Sequence, residues 1–514
     1  MEITLAYDQN LAMHRYKYLA LYHAIRTAIV EGTLPGGTKL PSTRRLAVLY
    51  DLSRGSASQV YDMLLADGYV QAKTGRGTFV AEGVTGETGS GRESMEGEEE
   101  GRASASGGTD SGAATADSAD PAAHAVSGIA LSAWGQRVLK QPFSADAPAG
   151  GDHISFCSSG LRMEHFPYAE WRSALAYAGG QGGGLLEDSG PPAGDEGLRQ
   201  AIAAHLRITR GIRAHAEQIV LFSGSMQGIV LLTQLLLSPG SPAVVEDPGY
   251  HGIHRSVEVA GGRLLPGEVD DRGLVLEDWD ARLLFVTSSR QFPTGAVLPL
   301  ERRRTLLEWA QRHNAVIVED DYDSEFRWAG RPIEPLKALD RGERVVYIGS
   351  FSGSMFATLR LGYAVLPPAL VQPVIAAKAL YEPLPAGLLE QRALARFMNT
   401  GGYHRHLRRM TRIYGERGRL LRSLLDERLG SCFEARPGDA GLQVYARWLG
   451  RPEAFAAFRA AALARGTDFR DVRLYRTRPG EPAACFSFAH LSAAQLVEGV
   501  QRLVLAADDV QNEA

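Results

Sequence analysis

The sequence predicts a multidomain protein: a small α+β module of three helices and a two-stranded wing, a tether, and a larger α/β domain built on a mostly parallel sheet. Three observations carry this. Residues 83–128 are a run of Gly, Ser, Ala, Thr and acids with no aromatic residue. Before that break, apolar residues recur at helical spacing and end in two short strand-like runs. After it, strand-like apolar runs alternate with helical patterns. A chain of 514 residues also exceeds what one ordinary core organises.

The predicted boundaries are 1–82, 83–128 and 129–514. The middle stretch carries two basic residues, Arg92 and Arg102, against nine acids. It holds too little apolar surface to offset its ordering entropy, and its charges repel, so it reads as a disordered linker. Residues 1–80 carry nine Lys/Arg against six Asp/Glu, a net +3 on a chain whose overall charge is −4. A mildly basic head beside an acidic tether suits an anionic partner.

In the head, Leu21, Ala24, Ile25, Ala28 and Ile29 place one helix over Tyr18–Glu31, ended by Gly32 and Pro35-Gly36. Ser42 is placed to cap a second helix, and Ser53 to cap a third that runs through RGSASQVYDMLLADG. The third helix turns Val60, Met63 and Leu64 inward and leaves Arg54, Ser56 and Ser58 at its start, the distribution a major-groove recognition helix needs. Tyr69–Lys73 and Thr78–Val80 read as strands joined by Thr74-Gly75-Arg76-Gly77, a wing whose tip approaches phosphates. The run EGTLPGGTKLPSTRRLA…LSRGSASQVYDMLLADGYV…TGRGTFV resembles the GntR-family winged helix-turn-helix across residues 15–81. The resemblance implies double-stranded DNA contact by Ser42, Arg44, Arg54, Ser56 and Gly75; Arg76 is added from its charge.

In the larger domain the strand-like runs are Gln218–Phe222, Pro242–Glu246, Leu283–Thr287, Ala315–Glu319 and Val345–Gly349, with helical patterns at Met226–Leu237 and Leu300–His313 between them. Several local motifs fit a pyridoxal phosphate (PLP) pocket, which needs a phosphate cup, a carboxylate for the ring nitrogen, a donor to the ring oxygen and a lysine amine. SGSMQG follows the first of these strands, so the N–H groups of Ser225 and Met226 face outward from a helix start. Tyr250 in EDPGYHG is placed either to cover a flat ring or to fill the core. VIVEDDYDSEF sets acids at the C-terminal end of a strand, where sites in such sheets lie. Asp320 is the candidate for the ring nitrogen and Tyr322 for the ring oxygen, while Asp321 and Asp323 read as solvated loop acids.

With FPYAEW, QFPTG and LRLGY, these motifs resemble fold-type I aminotransferases, a PLP-dependent transferase fold, and specifically the MocR subfamily of GntR regulators, from about Leu131 to Leu503. That likeness implies a homodimer, often head-to-tail, PLP or a related B6 vitamer at an effector site, and little or no turnover. It assigns Ser350, Ser352 and Arg360 to the cofactor site.

The departures are informative. The family's Schiff-base lysine falls seven residues before the arginine of LRLGY; in IGSFSGSMFATLRLGY that position is Gly353, and no lysine lies between Lys337 and Lys378. Glycine has no amine, so an internal Schiff base and its proton-transfer base are lost. Ser288-Ser289-Arg290 stands where relatives carry Pro-Ser-His, Ser189 where a tyrosine crosses the dimer, and Cys485 where a carboxylate-binding arginine is usual.

The sequence therefore points to a regulator that senses a small-molecule effector with a degenerate, catalytically silent domain. PLP, pyridoxamine phosphate or a PLP–amino acid adduct is then held non-covalently if at all, and a cofactor-free dimerising scaffold stays open as the alternative. An active aminotransferase conflicts with Gly353. No run of about 20 uncharged apolar residues occurs, the first residues lack a signal h-region, and three scattered cysteines form no disulfide framework or metal site, so a reducing cytoplasm is expected and no membrane partner.

Overall fold

The computed structural model describes residues 7–14, 16–73, 75–82, 129–141, 152–157, 163–180, 190–323, 325–330 and 333–512. The chain divides into two compact units, Met1–Pro121 and Ala122–Ala514. The expected linker, 83–128, lies outside the described residues.

In the first unit helices span Lys17–Val30, Thr43–Leu49 and Arg54–Ala66, each within a residue or two of expectation. Ser42 caps the second by accepting from the Arg45 N–H at 3.3 Å, and Ser53 caps the third by accepting from Ser56 at 3.0 Å. Ala57, Val60, Tyr61 and Leu64 of the third helix are buried against Leu21, Ile25, Ile29 and Leu46. Met63 is a correction: it packs at the edge and is only partly buried, and Tyr61, whose hydroxyl donates to the Pro41 carbonyl at 2.5 Å, takes the inward place. Strands β1 (Val70–Lys73) and β2 (Gly77–Val80) pair antiparallel, with Val70 opposite Val80. Gly75 and Gly77, at φ 74° and 110°, make the turn between them. A short helix, Tyr7–Met13, precedes these and packs Tyr7 edge-on against Tyr50 at 4.9 Å.

The second unit holds an eight-stranded sheet. Its strands are β4 (Ile219–Phe222), β5 (Pro242–Asp247), β6 (Arg263–Asp270), β7 (Gly273–Leu274), β8 (Leu283–Val286), β9 (Val316–Asp320), β10 (Val345–Ser350) and β11 (Gly362–Val365), in the order β4-β11-β10-β9-β8-β5-β6-β7. The central run from β10 to β6 is parallel; β11 is antiparallel to both neighbours and β7 closes the other edge antiparallel. β4 and β8 are buried on both faces, which is why they read as unbroken apolar runs rather than alternating ones. Helices cover both sides, among them Ser225–Leu236 and Leu300–Arg312.

A smaller sheet of β12 (Phe433–Ala435), β13 (Gln443–Trp448), β16 (Ala483–Ser487) and β15 (Arg470–Asp471) packs on the helix Gly402–Leu429, which in turn packs on Ala493–Asn512. β3 (Ile154–Ser155) pairs in parallel with β14 (Thr467–Asp468), tying the start of the unit to its C-terminal third. No helix among the described residues is long and apolar enough to cross a membrane.

Candidate functional site: a basic wing and an aminotransferase-like pocket

In the first unit the residues expected at DNA fall on three local structures. Ser42 and Arg44 sit at the start of Thr43–Leu49, Arg54 and Ser56 open the third helix, and Gly75 and Arg76 form the wing tip. Arg44, Arg54 and Arg76 are exposed, and none is paired with an acid among the described residues. Ser42 is occupied as a cap, and the Ser56 hydroxyl lies 2.9 Å from that of Ser53, so both serines brace helix starts.

The structure adds two cations that motif reading passed over. Lys39 bridges to Phe79 on the free side of β2, and its ammonium lies 5.8 Å from the centre of that ring. Lys73 reaches the same ring at 5.2 Å. Both are exposed, and neither forms an ion pair among the described residues. Two like charges thus converge on one ring, next to Arg76 in the chain. They are 34 residues apart, so only the strand register reveals that they meet.

In the second unit the motif residues gather at the C-terminal ends of the parallel strands. Gly224, at φ 100°, turns the chain from β4 into the helix Ser225–Leu236. A Cβ at Gly224 would collide with the Arg360 guanidinium, and one at Gly362 would lie 2.6 Å from the Ser225 nitrogen. The turn into this helix is therefore built from close backbone approach, which those two glycines permit. Arg360, itself left-handed at φ 51°, donates to the Ser223 carbonyl at 3.0 Å. Ser350 at the end of β10 accepts from the Ser352 N–H at 3.2 Å.

Met226 and Tyr250 flank Gly252, whose Cβ position lies 3.0 Å from the Met226 sulfur and 2.6 Å from the Tyr250 ring. From Tyr250 an edge-to-face aromatic chain runs through Phe292, at 5.6 Å, to Tyr322, at a further 5.4 Å. Phe292, part of QFPTG, was not singled out as a site residue, yet it joins the two rings that were. Asp320 is buried, and no hydrogen-bond donor reaches its carboxylate among the described residues. Burial, then the charges of Asp321 and Asp323, push it up to about 7. The Tyr322 hydroxyl is also buried and has no hydrogen-bond partner. At Gly353 the backbone is not left-handed, and a Cβ would make ordinary contacts with the Tyr322 carbonyl oxygen at 3.7 Å and Leu442 Cδ1 at 3.9 Å. The place where a longer side chain would start is thus sterically open and beside Tyr322.

Two expectations are corrected. Asp321 is no solvated acid: it is 5% exposed, accepts from the Tyr347 hydroxyl at 2.5 Å and pairs with Arg210 at 2.5 Å. Asp323 is equally buried, accepts from the Leu442 N–H at 3.0 Å and lies 3.6 Å from the Arg290 Nε. A buried carboxylate is tolerated only with such partners, and the partners lie 26 to 119 residues away in the chain.

The divergent residues form a connected set. Ser288 donates to the buried Glu319, and Ser289 accepts from Arg210 at 3.1 Å. Arg290 donates to the Gln443 carbonyl at 2.8 Å and lies flat on Gly441, where any Cβ would overlap its guanidinium. Cys485 on β16 stands opposite Arg470 on β15; burial pushes its thiol up to about 12, so it is neutral. Ser189 lies outside the described residues.

Residues 17–80 match the model of the bacterial regulatory proteins of the gntR family, and residues 152–503 that of aminotransferase class I and II. The chain is 33% identical over 507 residues to a probable rhizopine catabolism regulatory protein, MocR, of Rhizobium meliloti, covering 96% of this chain and 94% of that one. It is 29% identical to the pyridoxine biosynthesis regulator PdxR of Corynebacterium glutamicum, over 82% of this chain and 81% of the relative. Among solved structures, the α-aminoadipate aminotransferase LysN of Thermus thermophilus, complexed with N-(5'-phosphopyridoxyl)-L-leucine, superposes with a TM-score of 0.64 at 25% identity, over 74% of this chain and 96% of that one. The order of the two units and these relatives agree: the chain belongs to the MocR-type GntR transcription regulators, in which a winged helix-turn-helix precedes a fold-type I aminotransferase domain.

Proposed function

We propose that this regulator binds its operator through the Arg54 helix and the wing, and that its aminotransferase-like domain senses a B6 vitamer, or a vitamer–amino acid adduct, without a covalent link and without turnover. One observation carries the sensing half: Asp320 and the Tyr322 hydroxyl, two residues apart at the end of β9, are buried and lack hydrogen-bond partners among the described residues. Leaving such groups unmet costs stability, which a ligand that pairs with both would restore. Asp320 would hold the proton of a ring nitrogen and Tyr322 would donate to a ring oxygen. The N–H groups of Ser225 and Met226, with Ser350, Ser352 and Arg360, would hold a phosphate, and Tyr250 and Phe292 would wall the ring. The vitamer, when bound, supplies an aldehyde or amine able to combine with an amino acid or carbonyl compound. This chain's residues bind and orient it; Gly353 offers neither the amine nor the base that turnover needs.

On the DNA side, Arg54 and Arg44 would reach base edges or phosphates, Gly75 and Arg76 would approach the backbone, and Lys39 and Lys73 would neutralise a phosphate beside the wing. Ser42 and Ser56 would act by fixing the helix starts. The reading includes a homodimer, so that two heads meet two half-sites, and a reducing cytoplasm as its compartment.

Calorimetry of the full chain with PLP, pyridoxamine phosphate and a phosphopyridoxyl-amino acid tests the sensing half. Saturable heat with at least one, released fully on dialysis, is expected. No heat with any of the three favours the cofactor-free scaffold.

A further inference from the structure

A cavity that the sensing role does not use adjoins Asp321, through the Arg210 and Tyr347 side chains that contact it. It has a volume of about 190 Å³. Its floor is the sheet, through Tyr347 of β10 and Tyr363 of β11. Its walls are the helix Glu196–Thr209, through His205 and Thr209, and the chain after β9, through Glu325 and Arg327. Arg210 stands at the corner between them.

The polar groups there are incompletely used. The Arg210 side chain is 9% exposed; its Nη atoms reach Asp321, Ser289 and the Ile333 carbonyl, but its Nε has no partner. His205 is 8% exposed and its Nδ1 has none either. Burial pushes the imidazole down to about 4 and the Glu325 carboxyl up to about 8, so near neutrality the first is uncharged and the second keeps its proton. Arg210 is balanced by Asp321 and Arg327 by Asp439. The residues that line the cavity therefore include Arg210, whose Nε–H is unmet, Glu325, whose carboxyl keeps its proton, and the uncharged His205. A cationic ligand would face two guanidinium groups. The two tyrosine rings with Leu206 and Leu407 leave the remaining wall apolar.

We propose that this cavity is a second ligand site, for a small organic carboxylate whose charged end meets Arg210, Glu325 and His205 and whose tail lies on the tyrosine rings. Size sets the class: a cavity of about 150 Å³ accommodates benzene, whereas drug-sized ligands occupy about 300 Å³ or more. A benzoate-sized or smaller branched monocarboxylate fits, and a vitamer phosphate does not. The Arg210–Asp321 pair places such a ligand one residue from Asp320, so the two sites share a strand end. This goes beyond the proposed sensing role and does not depend on it.

The test is calorimetric titration of the full chain with benzoate, its neutral isostere benzamide, and acetate. One saturable benzoate site is expected, with benzamide weaker by about tenfold or more through loss of the charge-assisted bonds. Thr209→Phe and Leu407→Phe fill the cavity from two different helices, and each folded variant should lose benzoate while still binding the vitamer that the wild type binds. Should both variants fail to fold, Glu325→Ala, which removes the carboxyl donor without adding bulk, should weaken benzoate about tenfold and leave benzamide less changed. No saturable benzoate heat, equal affinity for benzamide, or benzoate binding unchanged in the variants would each overturn the proposal, the last by placing benzoate elsewhere.

Discussion

Asp320→Asn should make the second unit more stable at alkaline pH, by an amount that vanishes as pH falls. In the folded chain the Asp320 carboxyl is pushed up to about 7 from an ordinary value of 3.8, first by burial and then by Asp321 and Asp323. Between those two values the folded state holds a proton that the unfolded state has released, so stability falls as pH rises through the window and levels off above about 7. The shift is about 3 pH units; at 1.36 kcal/mol each it corresponds to about 4 kcal/mol lost between pH 4 and pH 8. Asparagine keeps the shape and does not ionise, so the gap between variant and wild type should widen by that amount over the window. Urea unfolding followed by tryptophan fluorescence suits the measurement, because all six tryptophans lie beyond residue 130 and report the second unit alone. A gap that stays constant between pH 4 and pH 8 would refute the argument that Asp320 is a buried acid without a counter-charge. A bound cationic ring should reverse the sign: at pH 8 a vitamer should stabilise the wild type more than the variant.

Further outcomes follow from the same geometry. Arg210→Ala removes the ion-pair partner of the buried Asp321 and should cost about 3–5 kcal/mol in urea unfolding. Tyr322→Phe removes an unmet buried hydroxyl, so the ligand-free chain should be unchanged or gain about 1 kcal/mol, while vitamer affinity in calorimetry falls. Replacing Lys39 and Lys73 together with Ala should weaken binding to any duplex alike and lower the slope of log K against log salt by about 0.9 per phosphate released, as read by fluorescence anisotropy. Arg54→Ala should cost about 1–3 kcal/mol on the protein's own promoter at fixed salt if it reads a base, with a smaller loss on unrelated duplex.

The elements that sequence alone exposed are those whose signal is local. Ser42 and Ser53 announce helix starts because capping involves neighbours three residues away. β4 and β8 announce themselves because burial on both faces demands unbroken apolar runs. The candidate pocket residues are legible because motifs fix them in order. What escaped depends on partners distant in sequence. Asp321 looked solvated because Arg210 and Tyr347 lie 111 and 26 residues away. Lys39 and Lys73 meet only through the register that sets Lys39 beside Phe79. The helix Tyr7–Met13 has a weak apolar period and packs on Lys17–Val30 and, through Tyr7, on Tyr50, partners that its own seven residues do not announce. Arg290, conspicuous as a departure, depends on Gly441, 151 residues on, which leaves room for its guanidinium.

The most direct test of the central claim, a DNA-binding regulator with a non-covalent vitamer sensor, is the affinity of the full chain for its own promoter fragment at fixed salt, with and without each B6 vitamer and adduct. The account predicts saturable binding that at least one of them shifts, and that Tyr322→Phe makes less responsive without altering DNA binding in the ligand-free state. Promoter binding indifferent to every vitamer, in a chain that also binds none of them in calorimetry, would contradict it and leave the second unit as a scaffold.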